Sequence, residues 1–288
     1  MERLLEGRVV LVTGATNGIG KVTARELARA GARTLLVARD LARGEATARE
    51  IREATGAPVE VLAADLSVRE QVRKLAGEVR ARTGRLDLLV NNAGAIFARR
   101  ELSADGVEMT LALNHLAYFL LAGELLPLMA GRPDARIVNV SSMAHASGVI
   151  DFDDLQGERS YGMWKAYAQS KLANVLFTRE LARRAAPLGV ASNAVHPGAV
   201  ASGFGRNRPG FFHRLVALGA PLLASPERGA RTTLHVATSP ALRGVTGRYF
   251  SSSRERQPSR AARDEDTAVR LWQISETMTQ PTTRLPTP

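Results

Sequence analysis

The feature of this sequence that most constrains its fold is a regular alternation of short apolar runs with amphipathic segments. Each run is apolar at nearly every position, which is typical of strands buried on both faces of a parallel sheet. The runs lie at about 8–13, 33–38, 58–63, 86–92, 135–142, 189–196 and 247–250, and predicted helices separate most of them. The alternation predicts an α/β fold, a single Rossmann-type, doubly wound parallel sheet of about seven strands with helices on both faces.

Length and composition bound the class of protein. The chain has 288 residues, 45% of them hydrophobic, which predicts one large domain over 1–280 and a short disordered tail at 281–288. It contains no cysteine, so it forms no disulfide and no thiolate metal site. No apolar signal segment precedes the first strand, and the run Leu116–Ala130 is interrupted by Glu124 and Pro127. We therefore expect a cytoplasmic protein without a transmembrane segment.

The net charge of +11 raises the question of a nucleic-acid partner. The arginines are scattered over predicted helix faces, and no basic block with interleaved aromatic residues occurs. We predict a generally basic surface and no nucleic-acid partner.

A glycine-rich turn follows the first strand. Gly14, Gly18 and Gly20 have the spacing G-x-x-x-G-x-G and lie where the next helix begins. Glycines let a backbone approach a pyrophosphate, and a helix N-terminus supplies free N–H groups and positive potential. The context predicts dinucleotide binding, and the alternative is a plain tight turn.

The end of the second strand bears on which dinucleotide binds. Arg39 follows this strand, at a position where many such folds carry an acid for the ribose hydroxyls. A guanidinium suits the 2′-phosphate of NADP (NADPH), and Asp40 is expected to point the other way. Arg43 and Asn17 are the next candidates for this phosphate. Asp65, after the third strand, is placed either to accept from an adenine amino group or to cap the following helix.

Tyr167 and Lys171 are four residues apart in a predicted helix, so their side chains share one face. An ammonium next to a phenol favours the phenolate and lowers the pKa of the tyrosine, as would the positive ring of an oxidised nicotinamide. Taken alone, such a pair is more often a surface contact. No His/Asp/Glu cluster has the spacing of metal ligands, so we predict no metal site.

Five motifs occur in order along the chain: "TGATNGIG", "NNAG" at 91–94, "NVSS" at 139–142, "YAQSK" at 167–171 and "HPG" at 196–198. Together they resemble the short-chain dehydrogenase/reductase superfamily over essentially the whole length. The segments 151–184 and 248–275 are similar to the branch of the retinol dehydrogenases and WW-domain oxidoreductases.

The resemblance implies a catalytic set of Asn114, Ser142, Tyr167 and Lys171. Tyr167 would exchange the proton, Ser142 would bind the substrate oxygen, Lys171 would also reach the nicotinamide ribose, and Asn114 would hold a water. Ser141 and Ser142 face opposite sides of an extended chain, and the family match favours Ser142. The implied cofactor contacts are Gly14, Thr16, Asn17, Gly18, Ile19, Gly20, Arg39, Asp65, Leu66, Asn92, Ala93, Gly94, Tyr167, Lys171, Pro197, Gly198, Val200 and Ser202, the last replacing a threonine common in the family.

These features predict an NADP-dependent oxidoreductase that interconverts an apolar ketone or aldehyde and its alcohol, assembled as a homodimer or homotetramer. The alternatives are a dedicated biosynthetic ketoreductase and a catalytically silent NADP-binding sensor. Residues 199–225 follow the sixth strand and combine glycines and prolines with an apolar face. They are expected to form a lid over the substrate, or else a surface helix packed on the core or on a partner subunit.

Overall fold

The computed structural model describes residues 4–198 and 225–280. One sheet of eight strands runs through this part of the chain, in the order β3-β2-β1-β4-β5-β6-β7-β8. The strands are β1 Val9–Thr13, β2 Arg33–Ala38, β3 Val59–Ala63, β4 Leu88–Asn91, β5 Ala135–Val140, β6 Val190–His196, β7 Tyr249–Ser251 and β8 Arg254–Arg256. The main helices are α1 Gly18–Arg29, α2 Leu41–Thr55, α3 Arg69–Thr83, α4 Met109–Met129, α5 Met163–Ala185, α6 Pro226–Thr238 and α7 Glu265–Thr279.

The doubly wound fold predicted from the sequence is confirmed. Strands β1 to β7 pair in parallel, and the strand order reverses between β1 and β4. In open α/β sheets, ligands bind at the carboxyl ends of the strands beside such a reversal. The fold therefore directs attention to the ends of β1, β4 and β5.

The sheet has one strand more than the sequence indicated. β8 pairs antiparallel with β7, and its residues are all exposed and polar. The turn between them has Ser252 and Ser253 with φ of 51° and 56°. Such two-residue hairpin turns favour asparagine and glycine, so neither the strand nor the turn carried a recognisable signal.

The core lies in two layers, one on each face of the sheet. Leu11 and Leu35 point into the layer under α3, α4 and α5, whereas Val10 and Leu36 point into the layer under α1, α2 and α6. Successive residues of one strand are therefore buried on opposite faces, which is why the strands are apolar throughout.

The glycine turn brings three elements closer together than side chains would allow. A Cβ added at Gly20 would lie 2.3 Å from the Gly14 carbonyl oxygen and 2.4 Å from the Asn92 side-chain nitrogen. A Cβ at Gly14, where φ is 64°, would lie 2.8 Å from the Ala93 Cα. The ends of β1 and β4 and the start of α1 thus meet only because these positions are glycine.

Helix α4 is not regular. Its segment Ala112–Leu116, near the start of the helix, forms a π-helical turn. Within the described residues, α4 is the one helix long and apolar enough to cross a membrane by length and composition, and 61% of its apolar window is buried inside the fold. That burial is the pattern of a core helix.

Two predicted features fall outside the described residues. They are the lid at 199–225, apart from Ser225, and the tail at 281–288; Val200 and Ser202 lie in the first of these segments. Ser225 caps α6 by accepting a hydrogen bond from the Arg228 backbone N–H.

We expect Gly20→Ala to lower the free energy of unfolding by about 1–3 kcal/mol, because the new methyl group meets backbone that cannot move aside. Gly77→Ala is the matched control: an added Cβ meets nothing within 4 Å, so the variant should be neutral or up to ~1 kcal/mol more stable. Urea unfolding of both variants measures the difference. Equal stability of the two variants would contradict the close approach at the glycine turn.

Candidate active site

Four polar side chains converge at the carboxyl edge of the sheet. Ser142 follows β5, Tyr167 and Lys171 lie one turn apart on α5, and Asn114 lies in the π-helical turn of α4. They are 25 or more positions apart in sequence except for the pair on α5, so the fold rather than local sequence brings them together.

Lys171 is almost fully enclosed, with 2% of its surface exposed. Its Nζ donates to the Val140 carbonyl at 3.2 Å and lies 5.6 Å from the centroid of the Tyr167 ring. No carboxylate in the described part of the chain forms an ion pair with it. Burial lowers the pKa of Lys171 to about 8.

Tyr167 lies half-buried at the mouth of the site. Burial raises the pKa of its hydroxyl above the ordinary value, and a hydrogen bond with Ser142 acts in the opposite direction. The sequence predicted a lowered pKa because of the neighbouring ammonium. In the protein alone this prediction is wrong, since desolvation of the phenolate outweighs the favourable contacts.

The two serines of "NVSS" face opposite ways, as predicted. The Ser141 hydroxyl is buried and donates to the Lys171 carbonyl at 2.7 Å, so it anchors α5 to the end of β5. The Ser142 hydroxyl accepts from the Ala144 N–H at 3.2 Å and hydrogen-bonds with Tyr167. Ser142 is therefore the serine that is placed to act together with Tyr167.

Asn114 is held by a pair of hydrogen bonds to one residue. Its Oδ1 accepts from the Ala95 N–H at 2.9 Å, and its Nδ2 donates to the Ala95 carbonyl at 3.0 Å. Nδ2 also donates to the Ser170 hydroxyl at 3.0 Å, and Ser170 in turn donates to the Tyr167 carbonyl at 2.7 Å. These partners use both N–H donors of the side-chain amide. The predicted water could therefore bind only to the remaining lone pair of Oδ1 or to the backbone of Asn114.

The motif "NNAG" joins β4 to the glycine turn. The Asn92 side chain donates to the carbonyls of Thr13 and Gly14 at 2.9 and 3.2 Å. Thr13 Oγ1 accepts from the N–H groups of Asn92 and Ala93 at 2.9 and 3.0 Å. A Cβ at Gly94 would lie 3.1 Å from Asn114 Oδ1 and 3.6 Å from Lys171 Nζ. Residues 92–94 thus lie between the glycine turn and Lys171 at the base of the site. The side-chain amide of Asn92 donates to protein carbonyls.

The residues at this edge fit a dinucleotide cofactor. Asn17 caps α1, with Oδ1 accepting from the Gly18 N–H at 2.8 Å, and the glycines leave a cradle that a Cβ would fill. Thr16 is half-buried and Ile19 is buried beside this turn. Pro197 and Gly198 follow β6 at the opposite side of the edge.

The predicted phosphate and adenine contacts lie at the ends of β2 and β3. Arg39 is exposed and forms no ion pair within the described residues, whereas Asp40 caps α2 through the Arg43 N–H at 3.0 Å. Asp65 Oδ1 accepts from the backbone and the hydroxyl of Ser67 at 2.9 and 2.7 Å. These bonds close a local turn ahead of α3, whose N-cap is Val68 and which has no side-chain cap, so the capping alternative for Asp65 is wrong. Leu66 is buried next to it.

Three residues support the site in roles that the sequence did not assign to them. Thr13 joins β1 to β4, Ser141 joins β5 to α5, and Ser170 joins α4 to α5. Each lies directly beside a residue of a predicted motif, and that adjacency was the available signal. Their roles depend on contacts between elements distant in sequence, which spacing does not reveal.

Comparison with known proteins places this site in a family. The profile of the short chain dehydrogenase family matches residues 8–209. Retinol dehydrogenase 12 of Bos taurus is 45% identical over 273 residues, covering 94% of this chain and 86% of that protein. A crystal structure of an uncharacterized protein from Mycobacterium paratuberculosis is 35% identical, with a TM-score of 0.78, covering 98% of this chain and 96% of that one. The Pseudomonas aeruginosa RhlG/NADP active-site complex is 30% identical with a TM-score of 0.68, covering 86% of this chain and 95% of that one.

Replacing Lys171 with methionine tests the cost of its burial. Below about pH 8 the folded protein must hold a desolvated ammonium, so Lys171→Met should raise the free energy of unfolding at pH 7 by on the order of 2 kcal/mol. Between about pH 8 and 10.5 the folded wild type has released the Lys171 proton, which the unfolded chain still holds. The free energy of unfolding of the wild type therefore increases as pH rises, and the difference between Lys171→Met and the wild type becomes smaller.

Lys165→Met is the control, since Lys165 is an exposed lysine of the same helix that pairs with Asp151 at 3.0 Å. Its effect should stay within about 0.5 kcal/mol at every pH. Denaturant unfolding from about pH 6 to pH 10 measures both variants. A Lys171→Met variant less stable than the wild type at pH 7 would contradict the expected cost of burial.

Proposed function

The chain belongs to the short chain dehydrogenase family, and from this premise we propose that it is an NADP-dependent oxidoreductase that interconverts an apolar ketone or aldehyde with its alcohol. The observation that carries the proposal is the buried ammonium of Lys171 beside the Tyr167 ring, at the edge where the glycine turn lies. A buried lysine without a carboxylate partner is costly for the fold, and such groups cluster at functional sites.

The proton chemistry rests on Tyr167. Reduction of a carbonyl needs a proton on the oxygen, and a phenol whose pKa is raised by burial holds that proton at neutral pH. The Ser142 hydroxyl hydrogen-bonds with Tyr167, so it can also bind the same substrate oxygen and stabilise its developing charge. In alcohol oxidation, the reverse reaction, the phenolate of Tyr167 accepts the proton of the alcohol hydroxyl. The ammonium of Lys171 near the ring favours this phenolate.

The cofactor would be held by the glycine turn and the N-terminus of α1, with Lys171 near the nicotinamide ribose and Arg39 at the 2′-phosphate. When bound, NADPH supplies the hydride. The NADP bound in the P. aeruginosa relative and the exposed guanidinium of Arg39 support NADP over NAD.

An apolar substrate is supported by exposed hydrophobic side chains beside the site. Met143 follows Ser142 and is 66% exposed, and Trp164 is 56% exposed with its ring 5.8 Å from that of Tyr167. Large apolar side chains left in water next to a reactive group are typical of a ligand-binding surface. The similarity to retinol dehydrogenase 12 agrees with a hydrophobic aldehyde or alcohol. The cytoplasmic location and the homodimer or homotetramer stay predictions.

Turnover of NADPH with a panel of hydrophobic aldehydes and ketones tests the proposed function. We expect the absorbance of NADPH to fall with at least one apolar aldehyde, and NADH to be a poorer donor. A chain that binds NADPH but reduces none of the panel would support the silent sensor instead.

Tyr167→Phe should keep the fold and the affinity for NADPH but lose nearly all turnover, by roughly 10²-fold or more, because the variant lacks the acid. Tyr161→Phe is the matched control: its hydroxyl donates to the Phe97 carbonyl at 2.8 Å, away from the proton transfer. That variant should lose about 1 kcal/mol of stability and little activity. Turnover and NADPH fluorescence titrations compare them, and comparable rates in the two variants would rule out Tyr167 as the acid.

Arg39→Ala should raise the KM for NADPH by roughly tenfold or more and leave the KM for NADH nearly unchanged, because only NADPH carries the 2′-phosphate. Arg49→Ala removes the same charge from an exposed position on α2 and serves as control. Steady-state kinetics with both cofactors measure the effect. Equal changes for NADPH and NADH would move the phosphate site to Arg43 or Asn17.

A further inference from the structure

His145 is a buried histidine that the proposed mechanism does not use. It lies three residues after Ser142, in the 3₁₀ helix Met143–Ser147, and only 4% of its surface is exposed. Its ring is 4.8 Å from the ring of Tyr249 on β7. The sequence alone leaves two readings of this residue, a histidine lining the substrate mouth or a plain loop histidine.

Both ring nitrogens of His145 have backbone partners. Nδ1 lies 2.7 Å from the Ser142 carbonyl oxygen, and Nε2 lies 3.2 Å from the Ser259 backbone nitrogen. A carbonyl can only accept and a backbone N–H can only donate. The ring is therefore neutral, with the proton on Nδ1 and a bare Nε2.

The surroundings of the ring favour this neutral form. Burial lowers the pKa of His145, and the hydrogen bond to Ser142 only partly opposes the shift. The titratable groups that face it are His196 on β6, whose pKa is also lowered by burial, and Tyr249, whose pKa burial raises to about 12. Neither group carries a negative charge near neutral pH that would stabilise a protonated His145 ring.

The ring contact is additional to what the local turn requires. The Ser142 carbonyl already accepts from the His145 backbone N–H at 3.2 Å, which closes the 3₁₀ turn. The side chain adds a second hydrogen bond to this carbonyl and connects it to Ser259, more than 100 residues further along the chain. A residue needed only for packing would not require one tautomer with two opposite partners.

We propose that His145 is a positioning residue that holds the backbone of Ser142 so that its hydroxyl meets Tyr167. This inference rests on the proposed function, because it assigns a task in the same proton transfer. The neutral ring spans from the Ser142 carbonyl to the Ser259 N–H, and so fixes the end of β5 against the segment that follows β8. The proton on Nδ1 makes the contact to the catalytic serine.

Two substitutions separate the two hydrogen bonds. The side-chain nitrogen of asparagine lies close to the position of Nδ1, and the amide of glutamine reaches the position of Nε2. His145→Asn should keep the bond to Ser142 and lose the one to Ser259, whereas His145→Gln should do the reverse. His235→Gln is the control. His235 is a half-buried histidine on α6, so this variant loses an imidazole away from the site.

We expect His145→Gln to lower kcat by roughly tenfold to a hundredfold, the range expected when a donor to the reacting oxygen is displaced. The KM for NADPH should not change. The pKa seen in the pH dependence of kcat/KM for alcohol oxidation should rise, because the Ser142 hydrogen bond that lowers the pKa of Tyr167 is weakened. His145→Asn and His235→Gln should stay within about threefold of wild-type kcat.

Equal kcat values and pH profiles in His145→Gln, His145→Asn and the wild type would overturn the inference while leaving the proposed function standing. An inactive wild type against the whole panel would refute the proposed function and the positioning role with it. Should His145→Gln fail to fold, ¹⁵N NMR of histidine-labelled wild type decides: a neutral ring with its proton on Nδ1 at pH 7 is expected, and a proton on Nε2 or a charged ring would overturn the assignment.

Discussion

The withdrawal of the Lys171 ammonium from water is the constraint on which the rest of the site depends. Desolvating a charge costs several kcal/mol, and here the described residues offer it a carbonyl rather than a carboxylate. A carboxylate would satisfy the charge and leave nothing for a ligand. Within the described residues Lys171 Nζ is bonded to a neutral carbonyl. Its positive charge is therefore available to stabilise the phenolate one helical turn away and an anionic group of a ligand that enters the cleft.

The scaffold around Lys171 explains why the charge stays in place. Ser141 anchors its backbone to the end of β5, and Ser170 connects the same helix to Asn114 in the π-helical turn of α4. Glycine at position 94 lets the end of β4 approach both Asn114 and the ammonium. Each contact joins two different elements, so the position of one side chain depends on the whole carboxyl edge of the sheet.

Much of the fold could be predicted because its signals are local. β2 has the predicted bounds, and β1, β3 and β6 begin one residue later than predicted and end where predicted. β8 and the π-helical turn could not be predicted, since charged residues at an edge and an extra residue in a helical turn leave no hydropathy signal. The candidate site was predictable where motifs name residues. The direction of the Tyr167 pKa shift could not be predicted. It is decided by burial of the hydroxyl, which depends on the tertiary structure.

We propose that Tyr167 keeps its proton in the protein alone and becomes a readier base only when a positive nicotinamide joins Lys171 beside it. The most direct test is a ¹³C NMR titration of the tyrosine ring carbons, with Tyr167 assigned by Tyr167→Phe, in the free protein and with saturating NADP⁺. We predict a pKa for Tyr167 above its ordinary value in the free protein and a clear fall on binding NADP⁺. A pKa that is already low without cofactor, or that does not change when NADP⁺ binds, would contradict it.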